Sequence, residues 1–187
     1  MATMKRGANV SLTREVPGLR RIAMGVQWDA GSERALTDSL VLAAILCNAA
    51  GRALSDEHFV FFNQLASPDL SVTDSATALG DDRDQIEIDL DAVPSEVERI
   101  VVVLYANAGP ARRRTLGQLR RCLVRVVNAD SSAELVRSED FTSELTSETA
   151  LAMGEVYRHR AEWKFKVIGQ GYASGIAGIA ADYGLSL

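Results

Sequence analysis

Met153-Gly-Glu-Val-Tyr-Arg158, Trp163-Lys-Phe-Lys-Val-Ile168 and Gly169-Gln-Gly-Tyr-Ala-Ser-Gly-Ile-Ala-Gly178 follow one another near the end of the chain. In the second run Trp163, Phe165 and Val167 alternate with Lys164 and Lys166, the period of two that marks a half-buried strand. The first run is read as its partner, so that 151–158 and 162–168 form a closing hairpin around Arg158-His-Arg-Ala-Glu162. That turn lacks Asn-Gly, which leaves the loop type open. Tyr172 to Tyr183 then reads as a short helix, with Ile176, Ile179 and Ala180 on one stripe and Gly184 as its stop. It is expected to lie across one end of the fold. The glycines at 169, 171, 175 and 178 lack the βαβ setting and the following acidic residue of a dinucleotide loop. Close backbone packing is the better reading of them.

Upstream, the chain continues in short runs. After Pro17-Gly18, Ile22, Met24, Val26 and Trp28 alternate with other residues, which predicts a strand. Leu40 to Cys47 is apolar throughout; a buried helix would look the same, with Thr37 as its cap, but the run is read as a fully buried strand. Phe59–Phe62, Gln85–Leu90, Arg99–Tyr105 and Leu123–Val127 are further strand candidates between turn residues. With so little room for intervening helices, these predict an antiparallel β-sandwich rather than a βαβ fold. The polar stretch from Ala129 to Glu148 reads as surface loop and turn.

Composition sets outer limits. A chain of 187 residues, 47% hydrophobic and 24% charged, fits one folded domain spanning 1–187. Its net charge of −5 disfavours nucleic acid or anionic membrane as the main target and favours a cationic ligand. Cys47 and Cys122 sit in apolar runs and read as reduced core thiols. No run reaches the roughly 18 apolar residues of a membrane span, and the first residues lack a secretory signal, so a cytoplasmic location is expected.

Taken as residues alone, Gly80-Asp-Asp-Arg-Asp84 is open to two readings. It is either a solvated acidic turn or a loop offering Asp81, Asp82 and Asp84 to a hard cation such as calcium, which takes about six to eight oxygen ligands. With Asn9-Val-Ser-Leu-Thr13, Phe59-Val-Phe-Phe-Asn-Gln64, Ser67-Pro-Asp69 and the C-terminal runs quoted above, it resembles the TerD family of bacterial tellurium-resistance and stress proteins. The resemblance implies an all-β sandwich with short peripheral helices, calcium as cofactor, and a stress-response role through binding to protein partners rather than catalysis. Carried over to this chain, it implies metal ligands among Asp29, Asp38, Asn63, Asp81, Asp82 and Asp84. The acidic segment from Thr73 to Asp84 is shortened relative to the family, and Arg83 interrupts it. The family's Asp-x-Asp-x-Ser segment before Asn48-Ala-Ala-Gly51 is reduced to Asp38-Ser-Leu-Val-Leu42, where a register shift of one residue would turn Asp38 to the opposite face of a strand. One of two calcium sites is therefore expected to be degraded.

The remaining candidates carry less. Asp29, Asn63 and Asp69 are also ordinary turn formers. His58 and His159 are the only histidines and show no zinc spacing, and there is no Gly-x-Ser-x-Gly elbow. Arg112, Arg113 and Arg114 form a basic cluster, with Arg120 and Arg121 shortly after. The cluster is read as a solvated loop or, in a metal-free alternative, as a dock for an acidic protein partner; without interleaved aromatics it is a poor nucleic-acid surface.

Overall fold

The computed structural model describes residues 3–75, 77–107 and 114–187. Its strands are β1 (Thr3–Met4), β2 (Asn9–Ser11), β3 (Arg21–Asp29), β4 (Leu40–Cys47), β5 (Phe59–Val60), β6 (Val72–Asp74), β7 (Asp84–Asp89), β8 (Arg99–Ala106), β9 (Arg121–Asn128), β10 (Glu134–Ser138), β11 (Ala150–His159) and β12 (Glu162–Tyr172). Short helices α1 (Leu12–Glu15), α2 (Arg34–Ser39) and α3 (Ile176–Tyr183) complete it. The strands form two sheets, ordered β1-β10-β9-β3-β7-β6 and β2-β12-β11-β8-β4-β5. All pairings are antiparallel except the parallel edge pair β1–β10. Together these make the all-β sandwich expected from the sequence.

Side-chain alternation explains why these segments are strands. In the first sheet Ile22, Met24 and Val26 of β3 enter the core between the sheets, while the intervening Gly25 and Gln27 lie on the outer face. The middle of the second sheet is apolar on both faces. Leu42, Ala44 and Leu46 of β4 join the central core, and Ala43, Ile45 and Cys47 join a second cluster on the far side. β8 divides in the same way, with Ile100, Val102 and Leu104 inward and Val101, Val103 and Tyr105 outward. The unbroken apolar run 40–47 is therefore a strand buried on both faces.

The outer cover is α3, whose Ile179 and Ala180 pack on that second cluster. Two expectations are corrected here. The C-terminal helix starts at Ile176 rather than Tyr172, because β12 continues through Tyr172 in register with Ala150. It also lies on the face of the sheet rather than across one end, since an apolar outer face needs a cover. Its end is the left-handed Gly184 (φ 75°), whose neighbour Leu185 donates its N–H to the Ala180 carbonyl.

Other boundaries move for similar reasons. The segment 129–148, expected as loop, contains β10, paired with β9. The strand expected over 59–62 stops at Val60, because the Phe61 and Gln64 backbones hydrogen-bond each other across a tight turn. Asp38 is in α2 and exposed, not on a strand. Among the described residues no helix is long and apolar enough to cross a membrane. Cys47 and Cys122 are buried and unbridged, and burial pushes the Cys47 thiol up to about 12. Replacing the fully buried Ile179 by Ala should destabilise the chain by about 2–4 kcal/mol, read as a lower midpoint in urea unfolding.

Candidate functional site at the acidic loop

The loop from Leu79 to Asp84 folds back over the outer face of the first sheet. At Gly80 the backbone takes φ 64°, the left-handed conformation that glycine adopts without steric cost, and this aims the loop at the sheet. Gly25 lets it arrive. A Cβ at position 25 would lie 1.9 Å from Asp82 Oδ2, so the carboxylate rests on the gap that glycine leaves in β3. Gly25 pairs with Gln85 on one side and Arg125 on the other, which places both side chains beside that gap.

Asp82 is consequently enclosed, with no exposed side-chain surface. Arg125 Nε donates to its Oδ1 at 2.6 Å, Gln27 Nε2 to the same oxygen at 3.1 Å, and Gln85 Nε2 to Oδ2 at 2.6 Å. The rest of the Arg125 guanidinium is also engaged: Nη2 donates to the Leu79 carbonyl at 2.7 Å and Nη1 to Glu134 at 3.2 Å. Burial works against the charge on Arg125, but the hydrogen bonds and fields of Asp82 and Glu134 outweigh it and raise its pKa above the ordinary value. Arg137 holds Glu134 in turn at 2.6 Å, and this bond more than any other lowers the Glu134 pKa. Arg121 closes the network by donating to Gln27 Oε1 at 3.0 Å.

Beside this anchor is an open depression lined by Trp28, Asp29, Asp81, Asp82, Arg83 and Arg121, among others. Asp29 ends β3 and uses Oδ1 to cap the Gly31 N–H at 2.8 Å. Asp81 is exposed. Arg83 donates from its backbone to the Val26 carbonyl and from Nε to the Trp28 carbonyl, with its guanidinium 5.0 Å from the Trp28 ring centre, within cation–π range. The residue that breaks the acidic run thus ties the loop to the end of β3.

Of the six residues singled out for metal, the structure brings together Asp29, Asp81 and Asp82. Asp38 and Asn63 do not line the depression; Asn63 is exposed in the Phe61–Gln64 turn. Asp84 begins β7, two residues before Ile86, the partner of Asp74 in β6. Burial, then repulsion by Asp74, pushes its carboxyl up to about 6, against a smaller opposing effect of the Gln85 N–H at 2.9 Å. Arg112 and Arg113 lie outside the described residues, and Arg114 meets Glu33 at 3.3 Å. Sequence reasoning did not single out Arg125, Gln27 and Gln85, the residues that hold the loop. The available signal was a charged residue at an alternate position of a buried strand.

The donor chemistry around Asp82 does not fit a calcium ion. Calcium would need about six to eight oxygens, yet both Asp82 oxygens already accept from cationic or amide groups, and two guanidiniums line the same space. Among the described residues no three His, Cys, Asp or Glu side chains converge as a metal set.

Residues 1–183 match the TerD domain. The chain belongs to the TerD family. It is 40% identical to the tellurium resistance protein TerD of Serratia marcescens, covering 98% of this chain and 97% of the relative. It is 37% identical to general stress protein 16U of Bacillus subtilis strain 168, covering 99% and 98%. In fold it is similar to the crystal structure of a TerD homologue from Streptomyces coelicolor A3(2), with a TM-score of 0.65 at 20% identity, covering 87% of this chain and 96% of that one. A TerD-family chain whose acidic loop is fastened by arginine should depend on that arginine. Arg125→Ala strands the buried Asp82 charge and should cost about 3–5 kcal/mol, measured by guanidinium unfolding; Arg83→Ala, at an exposed contact, should cost under about 1 kcal/mol.

Asp84 gives a pH signature. Its folded pKa of about 6 lies above the ordinary carboxylate value of 3.8, so the folded state holds this proton more tightly. That advantage is complete below pH 3.8 and is lost as pH rises through about 6. Asp84→Asn should therefore match the wild type near pH 4 and be more stable by on the order of 2 kcal/mol at pH 7, seen as a gap in melting temperature that opens between those values.

Proposed function

We propose that this TerD-family chain is a cytoplasmic binding protein of a bacterial response to tellurite or related chemical stress, acting by docking a protein partner rather than by catalysis. The rim formed by Asp29, Asp81, Arg83 and Arg121 is its docking surface, and the loop is ordered by Arg125 without calcium. Asp82 carries this reading. A carboxylate that already has a guanidinium and two amides on its two oxygens is a structural anchor, and it leaves the neighbouring charges of both signs displayed in an open depression. Mixed charges of this kind steer and orient a polar partner. In the metal-free alternative drawn from the sequence, Arg114 adds positive charge at a separate place, where it meets Glu33.

A second reading keeps calcium, at a different point of the loop. Asp74 and Asp84 repel each other in a half-buried setting, and a hard cation bridging them would relieve that repulsion. Calorimetric titration of the purified chain with calcium, paired with melting curves in calcium and in chelator, separates the readings. The first expects no saturable heat and a melting shift below about 1 °C. Saturable binding with a rise in melting temperature that Asp84→Asn abolishes would select the second.

A further inference from the structure

Among the described residues the exposed large hydrophobic side chains are Phe62, Leu65, Leu70 and Leu187, between 50% and 71% exposed. They are not scattered. Three come from the loop between β5 and β6, and the fourth is brought to it by the C-terminus, where Ser186 donates its N–H to Asp56 Oδ1 at 2.8 Å. Asp56 begins a single 3₁₀ turn, Asp56–His58, and the Phe61–Gln64 turn is tied to that same element by a hydrogen bond from Gln64 Nε2 to the Glu57 carbonyl. These contacts set Phe62 and Leu187 beside an exposed acidic turn carrying Asp56 and Glu57, and Leu65 and Leu70 follow Phe62 in the same loop.

The patch is also held rigid. Phe59 stacks on Phe61 with ring centres 4.9 Å apart, and Phe61 meets Phe62 edge-on at 5.1 Å. This aromatic row runs from the buried cluster under α3, which contains Phe59, out to the exposed Phe62. At the other end Leu70 is fixed at φ 66°, a conformation unfavourable for a branched side chain. The turn is clamped by Asp69, whose Oδ1 accepts from Ser67 Oγ and Ser71 N, each at 2.8 Å, and from Ser71 Oγ. Strain of this sort, combined with full display of an apolar side chain, marks a surface built to be covered.

We propose that this face is a second docking site, distinct from the charged rim, for a basic amphipathic segment of a partner protein. Its apolar side chains would cover Phe62, Leu65, Leu70 and Leu187, and its Lys or Arg side chains would meet Asp56 and Glu57. Charge selects this occupant. A second copy of the chain joined about a two-fold axis would bring the same patch, whose residues 55–71 and 185–187 contain no Lys or Arg to meet the acidic turn, and an anionic bilayer would be repelled by the same carboxylates.

The test uses the full chain and a synthetic 18-residue Lys/Leu amphipathic helix, with a Glu/Leu helix as its charge-reversed control, read by fluorescence anisotropy. The Lys/Leu peptide should bind and the Glu/Leu peptide should not. Leu65→Ser, and separately Asp56→Asn with Glu57→Gln, should each weaken binding at least tenfold with the melting temperature unchanged. Glu96→Gln, an exposed carboxylate elsewhere, should leave binding intact. Three results would overturn the proposal: peptide affinity indifferent to the patch variants, a concentration-dependent dimer in sedimentation that Phe62→Ser dissolves, or equal binding to phosphatidylcholine vesicles lost in Phe62→Ser. Charge reversal at Arg121 should leave peptide affinity unchanged, so failure of the rim reading and failure of this one are told apart.

Discussion

The loop that gives this protein its distinctive surface exists because a carboxylate is buried over a glycine and matched by a guanidinium. Asp82 can lie flat on β3 only where position 25 has no side chain, and its charge is tolerable there only because Arg125 and two glutamine amides surround it. Taken singly, each feature would be unfavourable. A glycine inside a strand weakens it, and an unpaired buried carboxylate would be strongly destabilising. Together they fasten a connection that would otherwise run free over the sheet. The same guanidinium reaches the Leu79 carbonyl, so backbone and side chain of the loop share one anchor.

The two sheets divide the work. The middle strands of the second sheet, β4 and β8, are apolar on both faces, and α3 packs over their outer side. The first sheet is apolar only toward the core. Its outer face carries a lattice of charges in which Arg21 pairs with Glu87 and Asp130, and Arg125, Glu134 and Arg137 continue the series. These paired charges lie beside the loop that folds over this face, and Asp81 and Arg83 at its rim remain exposed.

This division governed what could be read from the sequence. Periodicity identified β3, β7, β8, β9, β11 and β12, because alternation or an unbroken apolar run is a direct trace of burial. It missed β1, β2, β6 and β10, which are two, three, three and five residues long and too short for a period to show. The family resemblance, not periodicity, put Asp38 on a strand; the six-residue α2 holds it instead and ends where the apolar run begins. The acidic loop was visible as composition, and Asp29, Asp81 and Asp82 do line one depression. Its real partner was not visible, since Arg125 is 43 residues away in sequence from Asp82 and only the register of β3 with β9 puts it there. Pairings across a sheet are long-range facts that local pattern cannot supply.

How the loop is fastened also decides what can regulate it. A loop closed by a divalent ion follows the concentration of that ion, whereas one closed by arginine does not, because a guanidinium stays charged at any physiological pH. The group near Asp82 with a pKa within reach of physiological pH is Asp84, raised by burial and by Asp74. It is in the first residue of β7, directly after the anchored segment, where β7 meets β3 in register with Val26. Protonation there relieves repulsion between β6 and β7 without touching the Asp82–Arg125 pair. Acidification would therefore tighten the sheet edge between β6 and β7 while the arginine anchor of the loop persists.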